Sequence, residues 1–141
     1  MTRKAKHWRF LWLALLVVAC LVLLVVPLRQ RAHETRVTRL MHQLQRALLA
    51  YHEREEIYVP HRELSGGELA EILRASEDLQ EELANPFGEG PYGPSVQGDP
   101  IRYRAEGDDM TRYYLGVTLT GEDKPFLVFE SPPKEEYDEE F

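Results

Sequence analysis

The chain has one cysteine, Cys20, so no disulfide can form within it. It has two tryptophans, both before residue 13, which leaves the remainder without indole to build a core. No Gly-rich strand-to-helix loop is present to cradle a phosphate, and no G-x-S-x-G holds a nucleophilic serine. His52-Glu53 opens like a zinc helix, but Glu56 stands where the second histidine would be needed. His33, His42 and His52 lack ligand spacing and read as solvated helix residues. Basic residues are scarce after residue 46: residues 47–141 balance at −15 against +8 for residues 1–46. An acidic domain of that kind repels nucleic acid. These absences predict no catalytic constellation, no cofactor and no small-molecule substrate.

What is present is organised around residues 8–51. Residues 10–28 contain no charge over 19 positions. At about 1.5 Å per residue such a helix spans the roughly 30 Å hydrocarbon layer of a bilayer. A helix suits that medium because its backbone groups pair internally. Trp8 and Trp12 fall near the first boundary, where indoles favour the headgroup zone. Three membrane readings follow. The favoured one is an uncleaved signal anchor. A cleaved signal peptide fits less well, since the run exceeds the usual ~7–15 residues and no small-x-small site follows. A lipoprotein would use Cys20 in Val17-Val18-Ala19-Cys20, but eight apolar residues follow where polarity is expected. The plain alternative for Cys20 is a small apolar residue facing lipid.

Arg3, Lys4, Lys6 and Arg9 flank one end of the run, and Arg29, Arg31, Arg36 and Arg39 the other. The positive-inside count is nearly tied; the short, acid-free N-terminal tail favours that end inside. The membrane-proximal basic segment suits anionic headgroups.

Pro27 removes one helical hydrogen bond and predicts a bend or interruption there. Beyond it, Val37, Met41, Leu44, Leu48 and Tyr51 recur at spacings of 4, 3, 4 and 3, with Leu40 and Ala47 widening the stripe. Arg36, Arg39, Gln43, Arg46 and Glu53 lie opposite. The stripe must be buried. A coiled coil usually needs three or four heptads and this has about two, so packing on the chain's own C-terminal domain is expected over a dimeric coil. A helix unbroken from Trp8 to Glu56 would be about 73 Å long.

The remaining elements follow from local signals. Pro60 disfavours helix at Val59. Ser65 and Glu68 form a capping box, predicting a helix over about 66–84, with Leu79 and Leu83 extending it or forming a second short one. Residues 86–100 hold four Gly and four Pro and read as an ordered loop pinned by Phe87 and Tyr92. Alternation predicts three antiparallel strands at about 101–105, 112–119 and 126–130. The turns between them carry Asp108-Asp109 and Glu122-Asp123, which would offer oxygens to calcium if they approached one another. Charged turn residues are the commoner explanation. Residues 132–141 are acidic and aperiodic and predict a solvated tail. The expected organisation is a cytoplasmic tail (1–9), a transmembrane helix (10–28), an α+β domain outside the membrane (29–131, with helix 29–56) and the tail. The core of so short a domain must be small.

The order of these parts resembles a type II secretion pseudopilin, most closely the major pseudopilin. Residues 40–60 (LMHQLQRALLAYHEREEIYVP) are similar to the stretch where that family's long helix ends in an aromatic and a Tyr-x-Pro turn. Asn85-Pro86-Phe87-Gly88 looks like its Asp-Pro-Trp/Phe-Gly motif. Gly98-Asp99-Pro100-Ile101-Arg102-Tyr103-Arg104 followed by Tyr113-Tyr114-Leu115-Gly116 looks like its Pro-x-x-Tyr strand and its Tyr-x-Leu-x-Ser-Leu-Gly strand. The resemblance covers roughly residues 10–121 and rests on short motifs. Two departures matter. Arg9 stands where the family's processing site has Gly, and Ala14 where it has the Glu that neutralises a neighbouring subunit's N-terminus. The family's calcium loop is also not matched by residues 116–124. The resemblance implies a pilin-like fold kept as an unprocessed anchor in a bacterial inner membrane. Its partners would be other pilin-like or secretion-apparatus proteins. The alternative is a single-pass envelope scaffold with a short coiled coil.

Overall fold

The computed structural model describes residues 2–131. Its elements are α1 (Thr2–Glu55), β1 (Leu64–Ser65), α2 (Gly66–Ala75), β2 (Ile101–Glu106), β3 (Arg112–Val117) and β4 (Leu127–Glu130). The fold is α+β. The chain divides into two compact units, Met1–Arg36 and Val37–Phe141. The acidic tail predicted as solvated lies outside the described residues.

In the first unit α1 runs through Pro27 without interruption. One missing N–H costs a single bond, and the long helix on either side keeps its own ladder intact. The helix ends at Glu55, where Glu56 turns left-handed (φ 64°). His52 and Arg54 sit in the last turn, where cations suit the negative end of the helix dipole.

In the second unit the strands form one antiparallel sheet in the order β1-β2-β3-β4. The sheet therefore has four strands rather than the three expected. The added strand is two residues long, too short for an alternation signal, and exists because Leu64 and Ser65 pair with Tyr103 and Arg102. β2 and β3 pair along their full length, from Ile101 with Val117 to Glu106 with Arg112. β4 pairs with β3 from Leu127 with Val117 to Glu130 with Tyr114. Alternation puts Ile101, Tyr103 and Ala105, and opposite them Tyr113, Leu115 and Val117, on the buried face.

That face, the α1 stripe and α2 make one core. It holds Val37, Leu40, Met41, Leu44, Ala47 and Leu48 from α1, Leu69, Ala70 and Leu73 from α2, and the inward sheet residues. Each fully buried Leu contributes roughly 1.5–3 kcal/mol relative to exposure.

α2 stops at Ala75 instead of reaching 84. Ser76 bends its hydroxyl back to the Leu73 carbonyl (3.0 Å), and Glu77 adopts a left-handed φ of 64°. The N–H groups of Asp78 and Leu79 both donate to the Leu73 carbonyl. Arg54 clamps this turn, donating to the Ser76 carbonyl (2.8 Å) and to Asp78 (2.9 Å). Leu79 and Leu83 are buried all the same, from non-helical backbone.

Candidate functional site

The residues singled out by their spacing fall into two groups, one in each unit. Trp8, Leu11, Trp12 and Leu15 recur at helical i, i+3, i+4, i+7 spacing and line one shallow apolar groove on α1. Trp8 is 65% exposed and Trp12 60%. Through residues 10–28 the large apolar side chains stand outward on every side of the helix, Cys20 among them. This is one helix long and apolar enough to cross a membrane. Pro27 lies inside it.

Val37, Met41, Leu44 and Leu48 are each 0% exposed, and Tyr51 is partly buried beside them. Polar and aromatic contacts fix the register of this stripe on the sheet. Gln45 donates to the Tyr113 hydroxyl at 3.2 Å. The His42 ring lies 5.0 Å from Phe129 of β4. His52 stacks on Tyr58 at 4.2 Å and 19°, and Tyr58 meets Tyr113 at 4.6 Å. His42 stays exposed, as expected, while touching Phe129 with its ring; His52 is half-buried and differs from the solvated residue expected. Their rings are flat amphipathic surfaces at the edge of the stripe, close enough to the aromatics of the sheet to pack.

Burial sets the state of the phenols. Desolvation pushes the Tyr58, Tyr92 and Tyr103 hydroxyls above the ordinary tyrosine range, so all three stay protonated. Tyr103 donates to the Val59 carbonyl at 2.8 Å, tying the segment after α1 to β2. Tyr92 donates to Asp99 at 2.7 Å.

Asp99 is the polar centre of the domain and is only 7% exposed. Its Oδ2 accepts from Tyr92 and from the Gly67 N–H (2.9 Å), and its Oδ1 accepts from the Ile101 N–H (3.0 Å). Gly67 is in the first turn of α2, so the carboxylate also faces the positive end of that helix. Ser65 caps the next N–H, accepting from Glu68 at 3.2 Å. The paired glycines are explained by proximity. A Cβ on Gly66 would collide with the Tyr92 hydroxyl and Ile101, and one on Gly67 with the Gly93 carbonyl. Asn85 turns the loop by accepting from the Phe87 N–H at 2.9 Å, and Tyr92 donates its N–H to the Leu83 carbonyl. One carboxylate thus joins loop 86–100, α2 and β2. Sequence reading missed it, since Asp99-Pro100 looks like any turn dipeptide. The available signal was an acid, an aromatic and Gly66-Gly67 beside a helix start.

The two acidic turns do not meet. Asp108-Asp109 lie in the β2–β3 turn and Glu122-Asp123 in the β3–β4 turn. Successive turns of a meander sit at opposite ends of the shared strand, here about 17 Å apart for five residue steps. Among the described residues no group of three or more His, Cys, Asp or Glu is placed to hold a metal ion. Every buried polar side-chain atom among them has a hydrogen-bond partner.

No protein-family model matches this chain, and neither a curated protein nor a solved structure matches it significantly.

Proposed function

We propose that this chain is a single-pass inner-membrane protein with a pilin-like outer domain. In this reading it is a structural or accessory part of a bacterial secretion or pilus-like apparatus and catalyses nothing. The N-terminus is cytoplasmic and the domain lies outside. The observation that carries the reading is the division of labour along α1. Residues 10–28 offer only uncharged, almost wholly apolar side chains to their surroundings, and the last turns commit their stripe to the chain's own sheet. A buried carboxylate and a stack of protonated phenols serve to hold loops in place, which is structural work. Arg9 and Ala14, in place of the family's Gly and Glu, make the anchor unprocessed.

The second reading, a scaffold that dimerises through residues 37–51, loses its coiled-coil face. Val37, Met41, Leu44 and Leu48 are already covered within one chain.

The test places a photo-crosslinking amino acid at Leu16 and at Leu23 in cells and identifies the adducts. Adducts with the apolar helices of pilin-like or secretion-apparatus proteins are expected, together with an intact mass for the purified chain. Adducts with lipid alone would sink apparatus membership. A mass loss corresponding to cleavage between Arg9 and Phe10 would contradict the unprocessed anchor.

A further inference from the structure

The outward face of the sheet is unlike the rest of this acidic domain. Residues 47–131 carry seven Lys/Arg against 18 Asp/Glu. Three of those seven gather around one depression. Arg102 and Arg104 point outward from β2 and Arg112 from β3, and Arg62 joins Arg102, Arg104 and Tyr114 around one shallow depression. Arg112 lies apart from it in the turn that holds Asp108 and Asp109. Arg62, Arg102 and Arg104 meet Glu63 in the depression, and Glu106 is paired with Arg104, so the depression is net basic by one charge. At its centre Tyr114 lies over Gly116, where a Cβ would run into the phenol ring. The Arg104 guanidinium stacks 4.2 Å above the same ring and donates to Glu106 at 2.8 Å. Its side chain remains 53% exposed. The result is a cluster of arginines around a flat aromatic, with Arg104 held in place.

We propose that this platform receives the chain's own C-terminal segment, residues 132–141. That segment holds five carboxylates (Glu135, Glu136, Asp138, Glu139 and Glu140) against Lys134, with Tyr137 and Phe141 interspersed. Its point of departure suits the role. β4 ends at Glu130, paired with Tyr114, and Ser131 donates its N–H to the Tyr113 carbonyl. Arg104 lies opposite Tyr114 on the far side of β3. The distance from β4 to β2 is two strand spacings, about 10 Å. Ten residues reach up to roughly 33 Å. Attachment at that range supplies a high effective concentration, so weak charge-assisted contacts are enough. Elsewhere on the domain the same tail would meet like charge, for example at Glu77, Asp78, Glu81 and Glu82.

The test uses the full chain in detergent with a zero-length carboxyl–amine coupling reagent. The chain has only four lysines, at 4, 6, 124 and 134, so background is low. Arg102→Lys and Arg104→Lys each place an amine on the platform, and Arg74→Lys on α2 is the control. Far-UV circular dichroism verifies that each variant is folded. Coupling from position 102 or 104 to residues 135–140, within the monomer band and roughly fivefold above the control, is expected. Raising salt from 0.15 to 1 M cuts the screening length from about 8 to 3 Å and should abolish the excess. Coupling no greater than the control overturns the proposal. Coupling found only between chains overturns the cis arrangement and assigns the platform to a second copy's tail.

Discussion

The two halves of α1 are made of the same backbone and differ in what their side chains meet. In residues 10–28 leucine and valine cover the whole circumference and none of it is buried. In residues 37–51 the apolar positions are confined to one stripe, and the sheet and α2 cover it. The first half has no core of its own and is at ease only in an apolar medium. The second half contributes to the core and is at ease in water. The lesson is that apolar content alone does not assign a helix to membrane or core; the distribution of that content around the axis does.

Substitutions on the two halves should therefore give opposite phenotypes. Leu44→Ala removes a fully buried side chain and should destabilise the domain by about 2–5 kcal/mol. Urea unfolding followed by near-UV circular dichroism measures this. An unchanged midpoint would mean that the stripe is not part of the folded core. Leu16→Arg should leave that midpoint unchanged and oppose membrane insertion by about 3 kcal/mol, read as loss from the membrane fraction. A shift in unfolding with normal insertion would reverse the assignment of the halves.

Asp99→Ala leaves three donors without their acceptor and should cost about 3 kcal/mol. Protease cleavage in loop 86–100 should become faster. A stability equal to that of the parent would remove Asp99 from the centre of the domain. Ser65→Ala should cost about 1 kcal/mol through loss of the α2 cap.

The smallest effect is expected in alkali. Burial raises the phenol pKa values of Tyr58, Tyr92 and Tyr103 above 10.0. A raised folded value means that this stabilisation is complete below pH 10 and is lost as pH climbs beyond it. Tyrosinate absorbance should therefore rise in two stages, with the buried phenols ionising only as the domain opens. A single stage centred at 10 would show that the three are not buried.

Much of the fold was legible because its signals are local. Nineteen uncharged residues, the 4-3-4-3 stripe, Ser65 with Glu68, and the alternation from Ile101 each report on neighbours within a few positions. Local signals failed where a distant contact decided the outcome. The run through Leu79 and Leu83 looked helical, but Arg54 and Asp78 hold a turn at Ser76. The platform around Tyr114 was invisible because Arg62 and Arg102 are 40 residues apart and are joined only by the pairing of β1 with β2.

The amino-acid sequence by itself determined that one helix is apolar enough for a bilayer, that the next turns are amphipathic, and that strands follow. These are consequences of side-chain periodicity and hydrophobicity. The tertiary structure alone decided that Asp99 holds Gly67 across 32 positions, that the acidic turns lie apart, and that β1 joins the sheet. Each of those depends on which segments the buried core brings together, and a residue's immediate neighbours carry no record of it.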